Sequence, residues 1–145
     1  MDNRQELYKR VKKRAKWYFE QDYNCAQAVA LSNIEAFGGR TEGIIQLAAG
    51  FGKGMNAGCS CGAFAGGIMA LGRLLSGPDS RGFDRQIEEA AAELHQRFVS
   101  EFGLTCCKGL RNKLSLLNKC KKITVTTATL TLELLLAKQA KATGA

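Results

Sequence analysis

Two cysteines stand one residue apart in the stretch GCSCGAFAGG, Gly58 to Gly67, at the mouth of a segment built almost wholly of glycine and alanine. A thiolate binds metals and attacks disulfides, and glycine lets neighbouring groups approach the backbone closely. Four more cysteines lie elsewhere: Cys25, the vicinal pair Cys106 and Cys107, and Cys120. Six cysteines in 145 residues, four of them in two tight pairs, read as a site rather than as unrelated core residues. The amino-terminal MDNRQELYKR is polar and charged, with no apolar run or cleavage site behind it. A cytoplasmic location is therefore expected, where structural disulfides are disfavoured and cysteines are buried, metal-binding or redox-active. No segment reaches the roughly 20 apolar residues of a membrane span.

The elements that must position these sulfurs are helical. One proline and many alanines and leucines favour helix over strand. Residues 4–20 form an amphipathic pattern, with Leu7, Val11, Ala15 and Tyr18 on one face and lysines on the others. Asp22 is a candidate cap for a second helix that carries Cys25 and stops at Gly38-Gly39. Thr41 is a candidate cap for a third short helix, with Glu42 in its first turn and Ile44, Ile45, Leu47 and Ala48 as its apolar positions. The glycine-rich GFGKGMNAGCSCG must be a loop, and a helix of small residues runs from Gly62 to about Leu75. That helix should be central, because its thin face admits a neighbour or a cofactor. After the break SGPDSRGF, a long helix runs from Asp84 to Glu101. The next, capped by Thr105, holds Cys106, Cys107, Leu110 and Leu114, and Cys120 lies near the following turn. The tail from Ile123 to about Ala140 contains TVTTATLT, which favours strand locally, yet its apolar residues keep helical spacing. These signals predict an all-α single-domain bundle of five or six helices over residues 1–145.

A bundle can bring cysteines from distant helices together. Cys61 and Cys107 fall at helix starts, where the dipole and free N–H groups are expected to stabilise thiolate. Three chemistries follow. Four thiolates can hold an iron–sulfur cluster, with Gly58, Gly62 and Gly66 letting backbone N–H groups approach it. The CxC and vicinal pairs suit a metal-free thiol–disulfide protein using any of the six cysteines. Four cysteines also suit zinc, although the CxxC knuckles usual for zinc are absent. Inert packing is the bland alternative. His95 is the sole histidine and reads as a surface residue, which excludes multi-histidine metal sites. Gly50, Gly52 and Gly54 make a GxGxG around Lys53, without the spacing of a phosphate-binding loop.

The motif CGAFAG, Cys61 to Gly66, resembles the CGAxxG hallmark of the C_GCAxxG_C_C family of redox-active proteins. The resemblance extends through YNCAQAV around Cys25, LAAGFGKGM before the motif, IMALG after it, FVSEFG, and LTCCKGL, and its motifs end at Cys120. It covers about residues 10–135. It implies redox activity through four characteristic cysteines, which map to Cys25, Cys61, Cys107 (by its distance to Leu110) and Cys120. Cys59 and Cys106 are additional to that set. A redox partner protein is implied but not identified, and no catalytic residue is assigned.

The formal net charge of +8 is unevenly spread. Residues 1–21 and 108–145 are strongly basic, and residues 22–107 are mildly acidic. Basic ends, with the aromatics Trp17, Tyr18, Phe19 and Tyr23 beside the first helix, leave open a non-enzymatic module binding nucleic acid or an acidic protein. Aromatics at helical spacing more often face a core, so nucleic acid is the lesser expectation. The bare helix and apolar tail are compatible with a homodimer.

Overall fold

The computed structural model describes residues 3–113 and 119–144, with side chains from residue 3 to 111 and from 119 to 138. Its helices are α1 (Arg4–Glu20), α2 (Cys25–Ala36), α3 (Ile44–Ala48), α4 (Gly62–Leu75), α5 (Arg85–Phe102), α6 (Cys107–Lys113) and α7 (Lys119–Gly144). Five of these are long and form the bundle, and α3 and α6 are short connectors. The only extended pairing among the described residues is an isolated antiparallel bridge between Ser60 and Cys106. The fold is all-α, as the sequence predicts. No described helix is long and apolar enough to cross a membrane.

The central pair is α2 and α4, and small residues make it so. On α2, Ala26 through Ile34 are all buried. On α4, a Cβ added at Gly66 would collide with the Ala26 carbonyl, so the two backbones touch where side chains normally intervene. Gly67 likewise leaves room for Leu94 of α5 and Thr131 of α7. The bare helix is thus thinned for three neighbours at once, and Leu71, Leu94, Phe98, Leu132 and Leu135 close the core around it.

The tail is helical, as expected, while expected caps change: Gly43 at φ 81°, not Thr41, precedes α3, and α6 begins at Cys107 rather than directly after Thr105. Asp22 does not cap α2, since it sits in a left-handed turn at φ 70°. Asn24 caps it instead, in a reciprocal box: the Gln27 N–H donates to Asn24 Oδ1 at 2.8 Å, and the Asn24 N–H donates to Gln27 Oε1 at 2.9 Å. The β-favouring threonines of the tail are accommodated in the helix, where the hydroxyls of Thr124, Thr129 and Thr131 find carbonyls, while that of Thr127 is buried without a partner. Thr124 donates to the Cys120 carbonyl (2.6 Å) and Thr131 to the Thr127 carbonyl (2.8 Å). That back-bonding lets Thr124 and Thr131 lie fully buried. The buried Asn33 amide adds a bond to the Ala128 carbonyl at 3.0 Å, tying α2 to α7. Leu114, expected on the helix after Thr105, lies outside the described residues.

Candidate functional site

Cys25, Cys61, Cys107 and Cys120 line one cavity of about 370 Å³. They arrive there from four elements. Cys25 opens α2 just after the Asn24 cap. Cys61 is the residue on which α4 begins, Cys107 is the first residue of α6, and Cys120 is the second of α7. All six cysteines are free.

Cys61 and Cys107 are brought to the same wall by the isolated bridge. The Cys61 N–H donates to the Thr105 carbonyl at 2.6 Å, and the Cys107 N–H donates to the Cys59 carbonyl at 2.5 Å. These bonds clamp residues 59–61 against 105–107. The two additional cysteines, Cys59 and Cys106, belong to the same clamp but are exposed and do not line the cavity. The Cys106 thiol donates to the Gly58 carbonyl at 3.4 Å.

The glycine-rich loop forms the adjoining wall. It comprises a 3-10 turn, Ala49–Phe51, and a wide turn, Gly54–Gly58. Four successive residues, Lys53, Gly54, Met55 and Asn56, take positive φ of 53°, 62°, 63° and 55°. Left-handed backbone costs a non-glycine residue about 1–2 kcal/mol, so the surroundings must hold it. The Cys59 N–H reaches the Gly54 carbonyl at 2.9 Å, and the Asn56 amide reaches the Gly50 carbonyl at 3.0 Å. A Cβ at Gly54 would overlap Cys107, and one at Gly52 would stand 2.8 Å from Asn24 Cβ. The GxGxG therefore serves as packing for the cysteine site.

Burial dominates the electrostatics of the inner thiols. It pushes Cys61 up to about 12, although the N–H groups of Phe64 and Ala63 act in the opposite direction. Burial also raises Cys25, opposed by the backbone N–H of Lys53, and raises Cys107, opposed by the Arg111 guanidinium. The expectation that a helix start would favour thiolate at Cys61 and Cys107 is thus overturned: loss of water outweighs the backbone N–H groups at Cys61 and the Arg111 guanidinium at Cys107.

The three glycines proposed as cofactor neighbours separate. A Cβ at Gly62 would stand 2.5 Å from Cys25 Sγ, so this glycine touches the site directly. Gly58 lies beside Lys108 in an adjoining depression. Gly66 packs on Ala26 between helices. His95 is exposed, with its ring 5.7 Å from that of Phe64.

Other lining residues escaped the sequence reading. Arg111 and Thr124 each follow a cavity cysteine by four residues, Cys107 and Cys120, so helical spacing places each pair on one face. Phe19 and Tyr23 line the cavity, whereas Trp17 lies outside it with the Arg14 guanidinium 4.7 Å from its ring centroid. Among the described residues, no three cysteine, histidine or carboxylate side chains are gathered closely enough to hold one metal ion.

The fold is an all-α bundle that brings four cysteines from separate elements onto one small cavity. The family described as "Putative redox-active protein (C_GCAxxG_C_C)" matches residues 23–134. The chain belongs to that family. No curated protein and no solved structure gives a significant match.

Proposed function

We propose that this protein transfers electrons through an iron–sulfur cluster held by Cys25, Cys61, Cys107 and Cys120. The observation that carries the reading is their meeting on one cavity from positions as far apart as 25 and 120. The donor set fits, since four thiolates are the usual ligands of both common cluster types. A cluster spreads its ligands over several iron atoms, which suits sulfurs arranged around a cavity rather than gathered on a point. Zinc requires a tight tetrahedron, and among the described residues no three cysteine, histidine or carboxylate side chains are gathered closely enough to hold one metal ion. When bound, the cluster would supply one-electron chemistry. The chain's own part is to exclude water with Phe19, Tyr23 and Ile123, and to direct backbone N–H groups at the sulfurs of Cys25 and Cys61.

A thiol–disulfide reading is favoured by one observation. Cys59 and Cys106 are exposed on the two clamped segments, where an external oxidant has access. Anaerobic purification with visible absorption and iron, sulfide and zinc analysis separates the two. A brown protein with matched iron and sulfide supports the cluster. A colourless, metal-free protein that retains all its thiols overturns it in favour of disulfide chemistry.

A further inference from the structure

The charges of this chain are sorted around the cysteine cavity. From Gly43 through Pro78, and again from Gly103 through Leu132, the sequence contains no acidic residue. These two stretches carry Cys61, Cys107 and Cys120. They also carry Lys53 and Arg111, which line the cavity and are exposed. Arg111 faces two depressions at once, the cysteine cavity and an adjoining one shared with Lys108 and Lys119. Among the described residues, none of these four cations has a carboxylate partner.

Cations elsewhere behave differently. Arg14 pairs with Glu35, Arg97 and Lys138 with Glu93, and Lys121 with Glu20. The lysines of α1 form no salt bridge among the described residues, but none of them lines the cysteine cavity or the adjoining depression. Five of the 13 acidic side chains, Asp84, Glu88, Glu89, Glu93 and Glu101, are at the start of α5 or on it, and α5 contributes nothing to the cavity. Among the described residues, the only carboxylate lining the cavity is that of Asp22. The result is a charge asymmetry with its positive pole at the sulfurs.

We infer that the rim formed by Lys53, Lys108, Arg111 and Lys119 is the docking surface for the acidic face of a redox partner protein. The inference rests on the electron-transfer reading for the partner's role. The surface itself rests on charge alone. A buried centre exchanges electrons only with a partner that approaches its open side. Complementary charge there speeds encounter and orients it, and a like-charged face is rejected. A small protein also meets this rim in one approach, bringing its own centre near the cavity. Nucleic acid would instead follow an extended cationic stripe with free aromatics, whereas Phe19 and Tyr23 are turned into the cavity.

The test uses a strongly acidic plant-type ferredoxin as the probe. Its binding is measured by calorimetry at low and high salt, against the wild-type chain and the K108E/K119E variant. Neither substituted lysine lines the cysteine cavity, and K108Q/K119Q serves as a milder control for folding. Wild type should bind at low salt and lose affinity as salt screens the rim. K108E/K119E should weaken binding at least ~10-fold, and K108Q/K119Q should fall between. No low-salt binding by wild type, or equal binding by all three chains, overturns the inference. So does a short DNA duplex that binds more tightly than the ferredoxin. Iron analysis of the same samples is independent. Charge-dependent binding in an iron-free protein sinks the cluster reading and leaves the docking surface standing.

Discussion

Gly62 and Cys25 meet so closely that one added carbon would displace the sulfur. A Cβ on residue 62 would stand 2.5 Å from Cys25 Sγ and 2.5 Å from the Phe51 carbonyl oxygen. The first residue of α4 therefore fixes the position of the first residue of α2, and Cys25 in turn lines the cysteine cavity. Gly62→Ala should destabilise the chain by about 1–3 kcal/mol through overpacking. It should also push Cys25 off its place in the wall. Thermal unfolding reads the first effect. Iron bound per chain after reconstitution reads the second and should fall. A variant with unchanged melting and full iron would show that Cys25 is not held by this contact.

Serine scanning distinguishes the inner from the outer cysteines. Cys25→Ser, Cys61→Ser, Cys107→Ser and Cys120→Ser should each abolish stable iron binding, since each removes one of the four proposed ligands, all of which line the cavity. Cys59→Ser and Cys106→Ser should retain iron, because both side chains are exposed and outside it. Iron and sulfide analysis of the six variants is the measurement. Full iron in any of the first four removes that residue from the ligand set.

The extent to which this was legible from sequence differs by feature. The long helices follow from apolar spacing, and the central place of α4 follows from its lack of bulk. The convergence of Cys25, Cys61, Cys107 and Cys120 was implied by family resemblance, not by spacing, because no local rule tells where four helix ends meet. The cap at Asn24 was missed because Asp22 and Asn24 are both good cap types two residues apart. Only the left-handed turn at Asp22 decides between them. The polarity of the inner thiols was misjudged for a general reason. A helix start is visible in sequence, whereas the depth at which it is buried is a property of the assembled bundle.

Asn24 joins two parts of the site. Besides capping α2, its amide donates to the carbonyls of Ala48 and Ala49, at 3.1 and 3.2 Å. It thereby ties the start of the Cys25 helix to the turn that leads into the glycine loop. Asn24→Ala should cost about 1–2 kcal/mol, at the upper end for a cap because two further bonds are lost. Asn24→Asp keeps the capping oxygen and loses the two amide bonds, so it should be less destabilising than alanine. Chemical denaturation of the three chains gives the order. If aspartate proves as damaging as alanine, the ties to Ala48 and Ala49 outweigh the cap.

The buried thiols set a pH dependence for the reduced, metal-free chain. Cys61 is raised from an ordinary thiol value of 9.0 to about 12 by burial. Below about pH 9 it is protonated in both folded and unfolded states, and its contribution to stability is fully present. Above that, the unfolded chain releases the proton and the folded chain keeps it. The unfolded state then binds fewer protons, so stability falls as pH rises and continues to fall until the folded thiol titrates near 12. Cys25 and Cys107 are shifted in the same direction and add to the decline. Denaturation midpoints between pH 7 and about 10.5 should therefore decrease, and Cys61→Ala should flatten the slope. Alkylation of the folded chain near neutral pH should label Cys59 and Cys106 well before Cys61, because the outer thiols are exposed and the inner one is both buried and protonated. Rapid labelling of Cys61, or a midpoint that rises across this range, would show that its thiolate is stabilised in the fold and that burial does not govern the site.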